Sequence, residues 1–293
     1  MADNNRNLTV YQKLTQVFGF PNEKKEQEIQ HYFDFLENNR KEEKWLSEVM
    51  KVQQADVKDD LPSHVKEFLK GDEKVFLLAC NVVGDSSMLN RETIFESQQD
   101  LVRKCIDYFR LRPDLKLIIR AHPGETVVAQ KVGIFMGNFA QPLAMGIPNV
   151  LVVHNKEKLN TFSLVPYLQA TICWISSVGV DMVIRGVPTI VSAHPKYSGL
   201  GIVEEPKTRQ DFFNWIDQQA IQRSEVSEIQ KKNAKEYLYL IFKGFSFEAF
   251  GKKFRSFTCK LNQPAHQKSH DEFYQILVRA IPAPDETKSN DHD

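Results

Sequence analysis

The sequence predicts an α/β protein whose core is a parallel, doubly wound sheet. Two features point to it. From Lys74 onward, short continuous apolar runs recur, of the kind needed by strands covered on both faces. Longer amphipathic segments separate these runs, and strands alternating with helices at this spacing form parallel crossovers rather than hairpins. The 293 residues suffice for one large domain or two small ones.

The first 70 residues are rich in Lys, Glu and Gln. Their stretch NEKKEQEIQHYFDFLENNRKEEKWLSEVMKVQQ sets Ile29, Tyr32, Phe33, Phe35, Leu36, Trp45, Leu46, Val49 and Met50 at mostly helical intervals. One or two amphipathic helices are expected, packing on a neighbouring domain or partner, or serving as an interaction arm. DLPSHVKEFLKGDEK comes next as a short helix closed by Gly71. KVFLLAC is the first strand, and ETIFESQQDLVRKCIDYFRLRP is a long amphipathic helix ended by Pro113. LKLIIR is the second strand and PNVLVV, introduced by Pro148, the third. NTFSLVPYLQA has helical apolar spacing despite Pro166, which a helix tolerates near its start or at a kink. TICWIS and PTIVSA are further strands, separated by SVGVDMVIRGV, one short helix closed by Gly186. TRQDFFNWIDQ and SEIQKKNAKEYLYLIFKGF are helical, and the polar end APDETKSNDHD is expected to be disordered. The division is then a helical N-terminal segment (1–73), a sheet domain with C-terminal helices (74–281) and a tail (282–293).

Composition narrows the function classes. Lys+Arg and Asp+Glu both count 38, so no global field draws nucleic acid or an anionic membrane. The four cysteines, Cys80, Cys105, Cys173 and Cys259, are far apart and form no CxxC pair. They read as reduced residues of a cytosolic protein rather than a disulfide frame or zinc site. The N-terminus MADNNRNLTVYQK is unlike a signal peptide, and no apolar run approaches the roughly 18 residues of a spanning helix. A cytoplasmic location is expected, free or peripheral at the inner face of the membrane.

In open α/β sheets ligands bind beyond the carboxyl ends of the strands, and three such ends carry unusual residues. After KVFLLAC, NVVGDSS offers Gly84 for a tight backbone, then Asp85, Ser86 and Ser87 as helix caps or as ligand groups. LKLIIR runs into Ala-His-Pro-Gly-Glu, where Arg120 and His122 leave the strand on one side. Pro123 holds its own φ and pushes His122 toward an extended backbone, so the imidazole is either a structural group or an aimed one. Gly124 then lets the chain turn, and Glu125 begins the next segment. In WISSVGVDMVIRGVPTI, Ser176 and Ser177 close a strand just before a helix whose unpaired N–H groups form a natural phosphate cradle. Gly179 lies in that first turn, and Asp181 either complements the dipole or faces a ligand hydroxyl. KLNTFSL places Asn160 and Ser163 at another helix start, and HPKYSGLG adds Lys196, Tyr197 and His194, the last as a loop residue or a second imidazole.

Together NVVGDSS, LIIRAHPGE, LNTFSL, SSVGVDMVIRGVPTIV and HPKYSGLGIVEEP resemble the C-terminal part of the capsule polysaccharide biosynthesis family. Those proteins are glycosyltransferases of the GT-B type, and the resemblance runs from about residue 74 to about residue 218. Members include transferases that move Kdo from a CMP-linked donor. The His-Pro and Ser-Ser pair is similarly placed in bacterial sialyltransferases and polysialyltransferases, and a comparable pattern occurs in teichoic-acid glycerophosphotransferases that use CDP-glycerol. The resemblance implies a Rossmann-like donor-binding domain, the C-terminal half of a GT-B enzyme, preceded by a helical segment.

It further implies that His122 donates to the phosphate of a departing CMP, helped by Arg120 or Lys196, with Pro123 fixing the turn. Ser176, Ser177 and Gly179 would hold other phosphate oxygens, and Asp181, Asn160, Ser163 and Tyr197 would line the donor. Glu125 or Asp85 would stand as general base. No cofactor or metal is implied beyond the nucleotide-sugar co-substrate, and the sole Asp-x-Asp, DHD, ends the chain. The implied partners are that donor, a glycan or glycolipid acceptor, and a partner subunit or N-terminal GT-B half absent from these residues. A non-catalytic nucleotide-binding module, one subunit of a split transferase, and a CDP-glycerol glycerophosphotransferase-like enzyme remain as alternatives.

Overall fold

A computed structural model describes residues 27, 61–84, 88, 90–125 and 133–239. The expected N-terminal amphipathic helices, Asp85 with Ser86 and Ser87, Cys259, the disordered tail and the boundary at residue 281 lie outside them. The chain divides into one compact unit of residues 34–235 and another of residues 1–33 with 236–293. The sheet and its flanking helices lie in the first unit, whose last helix runs past residue 235.

The elements run α1 (Ser63–Phe68), β1 (Lys74–Ala79), α2 (Gln98–Arg110), β2 (Leu115–Arg120), α3 (Met136–Ala144) and β3 (Val150–Val153). A 3-10 helix (Thr161–Tyr167) leads into β4 (Leu168–Cys173), then α4 (Val178–Ile184), β5 (Thr189–Val191), α5 (Arg209–Ile221) and α6 (Glu228–Tyr239). The five strands form a sheet in the order β3-β2-β1-β4-β5, every pair parallel. This is the Rossmann-like arrangement. The order reverses at β1, so the crevice between the carboxyl ends of β1 and β4 is the topological switch point.

Register makes that edge straight. Ala79 pairs with Arg120 and with Cys173, Arg120 pairs with Val153, and Cys173 pairs with Val191. The last residues of all five strands therefore form one row. The loops beyond β2 and β4, separated by more than fifty positions in sequence, leave the sheet on either side of β1. Two strand spacings, about 10 Å, lie between them.

Burial on both faces explains the continuous apolar runs: every residue of β2 and β5 is buried, and β1 is buried beyond Lys74. Phe76 meets Phe109 of α2 edge to face at 5.5 Å, and Phe95 meets Phe212 of α5 at 5.2 Å. The long helices carry side-chain caps, Ser97 accepting from Asp100 N and Thr208 from Asp211 N, each worth about 1 kcal/mol. Helix α4 ends as sequence suggests. Gly186, at φ 77°, donates to Val183 O while Val187 donates to Met182 O, which closes the helix with a left-handed residue only glycine adopts readily.

Three expectations need correcting. NTFSLVPYLQA is a 3-10 helix that gives way to β4 at Leu168, because Leu168 pairs with Val75 and the strand therefore begins three residues before TICWIS. That strand ends at Cys173, leaving Trp174 to Ser176 in the loop. Helix α3 has no counterpart in the elements expected from sequence. Among the described residues no helix is long and apolar enough to cross a membrane.

Candidate functional site at the carboxyl edge of the sheet

Arg120, the last residue of β2, is 3% exposed. Its guanidinium donates to the carbonyls of His154, Glu157 (3.2 Å) and Leu159 (3.3 Å), while its Nε is buried without a partner among the described residues. Burial pulls it down to about 10, opposed by Glu157 and Glu125, so it stays charged at neutral pH. Arg120, expected to assist at a phosphate, straps the loop after β3 to the end of β2. It does so because three carbonyls of an irregular segment, that of Leu159 in a buried contact, need donors at the strand end.

His122 leaves the strand two residues later and is half-buried. Glu125 N donates to His122 O at 3.0 Å, closing a four-residue turn around the buried Pro123. Within it Gly124 N donates to His122 Nδ1 at 2.9 Å. A ring nitrogen that accepts cannot carry the proton of a neutral imidazole, so the proton sits on Nε2. The turn thus sets the tautomer and leaves Nε2–H as the ring's donor.

Glu125 is fully buried beneath this turn. Its Oε1 accepts from Met136 N, the first residue of α3, at 2.9 Å, and its Oε2 has no partner among the described residues. Desolvation pushes the carboxyl up to about 7 against the pull of Met136 N–H and Arg120. An interior group anchored to a helix start is a poor match for a base that meets an acceptor. The other candidate base, Asp85, lies outside the described residues.

Beyond β4 the chain turns at Ser176 and Ser177. Ser176 is buried and its Oγ accepts from Val178 N at 3.4 Å. Ser176 O accepts from Gly179 N, and Ser177 O from Val180 N and Asp181 N. The expected cradle of open N–H groups is therefore closed: these four have partners within the turn, and α4 is only seven residues long. Ser177 stays exposed and caps nothing.

Tyr197, buried, holds this turn from the loop after β5, donating to Ser176 O at 2.7 Å. A Cβ on Gly179 would lie 3.0 Å from Tyr197 Oη and 3.2 Å from Thr189 Cγ2, so Gly179 is small to admit that tyrosine. Both residues position the turn. Asp181 pairs with Arg185 at 3.5 Å, and Arg185 lies 4.2 Å over the Phe162 ring. That stack ties α4 to the 3-10 helix, where Asn160 Oδ1 accepts from Phe162 N at 3.0 Å and Asn160 O from Ser163 N. Asn160 is thus a cap. Lys196 is exposed on the loop after β5.

Sequence reasoning misses Asn81, the second residue beyond β1. Its Oδ1 accepts from Ile175 N at 3.2 Å, bridging the switch point. Its backbone N–H donates to Gln98 Oε1 at 2.6 Å and its carbonyl accepts from Gln98 Nε2 at 3.1 Å. Its signals are its place just after KVFLLAC, matching that of His122 after LKLIIR, and its position at the head of NVVGDSS. Among the described residues no three His, Cys, Asp or Glu gather as a metal-binding group.

The sequence profile described as capsule polysaccharide biosynthesis protein matches residues 5–236. No curated protein matches the chain. Among solved structures, the chain is similar to the KpsC beta Kdo 2,7 transferase of Thermosulfurimonas dismutans at 16% identity and a TM-score of 0.36, over 69% of this chain and 57% of that one. It is similar to the S. aureus MnaA–UDP co-structure at 12% identity and a TM-score of 0.41, over 66% of this chain and 52% of that one. For the UDP-GlcNAc 2-epimerase from Neisseria meningitidis bound to UDP-GlcNAc the identity is 14% and the TM-score 0.37, over 60% of this chain and 45% of that one. The chain spans 57% or less of these structures.

Proposed function

Because the chain belongs to the capsule polysaccharide biosynthesis protein family, we propose that it is a metal-independent glycosyltransferase of the GT-B type. In this reading it moves a Kdo-like sugar from a CMP-activated donor to a glycan or glycolipid acceptor. The supporting observation is the His122 turn, whose Nδ1 is engaged by Gly124 N–H so that Nε2–H is the donor at the strand edge.

Transfer breaks the bond between the anomeric carbon and a phosphate oxygen, and the electron pair stays on that oxygen. A donor aimed there binds the transition state better than the ground state. His122 Nε2–H is assigned to this oxygen and the Ser177 hydroxyl to a second one, with Lys196 adding charge nearby. The acceptor hydroxyl oxygen forms the new bond to carbon and releases its proton to a base. With Glu125 buried and anchored to Met136, that base is assigned to Asp85 or to the acceptor side, on a partner subunit or a further GT-B half.

The test is thermal stabilisation by CMP, CDP, UMP, UDP and GDP, followed by donor turnover in wild type and His122→Ala. Stabilisation by the cytidine compounds alone, with turnover abolished and folding kept in the variant, is the expected result. Equal turnover by His122→Ala refutes the assignment. Since the chain spans only part of the structures it resembles, a second reading is a nucleotide-binding subunit that consumes no donor. It is told apart by CMP binding without turnover when acceptor and partner are supplied.

A further inference from the structure

We infer that Asn81 is a ligand-binding residue whose side-chain amide donates to the nucleotide phosphate at the switch point between β1 and β4. The inference rests on the nucleotide reading of this edge and gives a role to the first residue of NVVGDSS, to which the resemblance assigns none. Asn81 follows the central strand, flanked by β2, which delivers His122, and by β4, which delivers Ser177.

Three hydrogen bonds fix it. Gln98, 1% exposed and the first residue of α2, grips the backbone of Asn81 through both its N–H and its carbonyl. The third bond sets the side chain: Oδ1 accepts from Ile175 N. Only the oxygen of a carboxamide can accept an N–H, so this contact decides which arm is which, and the NH2 group turns away from Ile175. No described residue accepts from that NH2. In an interior such a group would be costly, but Asn81 is partly exposed at an open edge.

The surroundings say what it would meet. Arg120 is engaged by three carbonyls, and the first N–H groups of α4 are engaged by Ser176 and Ser177. What stands at the edge beside the His122 turn is a set of donors: the exposed Ser177 hydroxyl, the exposed Lys196 ammonium and two hydrogens of Asn81. An anionic oxygen satisfies such a set, and a phosphate carries enough oxygens to take more than one of them.

The experiment is calorimetry of CMP and cytidine with the full chain as wild type, Asn81→Asp and Asn81→Ala. Asn81→Asp keeps an oxygen for Ile175 N and loses the donor; Asn81→Ala loses both without adding charge. CMP affinity is expected to fall about tenfold or more in both variants, as for loss of a hydrogen bond to a charged group, with cytidine affinity unchanged. Asn81→Asp should also melt, unliganded, with wild type. If Asn81→Asp weakens CMP and Asn81→Ala does not, the effect is charge at a distance and the inference is overturned. It is overturned alone if wild type binds CMP and both variants bind it equally. A wild type that takes up no cytidine nucleotide overturns the nucleotide reading and this inference with it.

Discussion

Replacing Glu125 by Gln removes a charge that the fold holds in an unfavourable place. The carboxyl is buried, with one oxygen on Met136 N and the other without a partner among the described residues. Desolvation raises it from 4.5 to about 7, opposed by Met136 N–H and the Arg120 charge. Between those values the folded chain holds a proton that the unfolded chain has released. Stability from this group is therefore intact below about pH 4.5, declines as pH rises, and is lost above about pH 7. Each tenfold step in proton affinity is about 1.4 kcal/mol, which caps the effect at about 3 kcal/mol. Relaxation around the buried charge reduces it to ~1–2 kcal/mol, a few degrees in melting temperature. The assay is thermal denaturation of wild type and Glu125→Gln from pH 5 to 8.5, where subtraction removes the other titrating groups. The two should differ by a constant at low pH and diverge toward pH 8, with the variant gaining. Parallel curves across the range refute the reasoning.

Arg120→Lys should lower stability by about 3 kcal/mol in urea unfolding, because one ammonium cannot reach the carbonyls of His154, Glu157 and Leu159 together; a loss below about 0.5 kcal/mol would return Arg120 to a ligand role. Tyr197→Phe removes the 2.7 Å bond to Ser176 O and should cost about 1 kcal/mol, with CMP affinity reduced in calorimetry because the Ser177 hydroxyl loses its frame. Gly179→Ala places a Cβ 3.0 Å from Tyr197 Oη and should destabilise by about 1–3 kcal/mol, read as a drop in melting temperature.

The sheet is legible in the sequence because its strands are buried on both faces and so are written as unbroken apolar runs, KVFLLAC and LKLIIR above all. Helix α3 is illegible for an equally physical reason. MGNFAQPLA carries Gly137 and Pro142, both helix-weakening, yet a Cβ on Gly137 would lie 2.6 Å from His154 Nδ1. Tertiary packing demands the glycine that hides the helix. At the site, sequence locates the loops and the His-Pro turn but does not reveal which protein groups engage one another. A strand-end arginine looks the same whether it faces a ligand or three carbonyls of a loop more than thirty residues on. The Ser-Ser turn reads as open donors because the serine carbonyls and the Ser176 hydroxyl that close it leave no mark on spacing. Asn81 escapes notice because its significance depends on Ile175, 94 positions away.

In the proposed mechanism the imidazole after β2 and the serine turn after β4 receive one nucleotide phosphate across β1. A crystal structure of the chain soaked with CMP measures this directly. The phosphate is expected over the switch point, with His122 Nε2 about 3 Å from one of its oxygens and the Ser177 hydroxyl on another. A phosphate bound elsewhere, or an imidazole turned from it with the nucleotide in place, rules out this shared phosphate site.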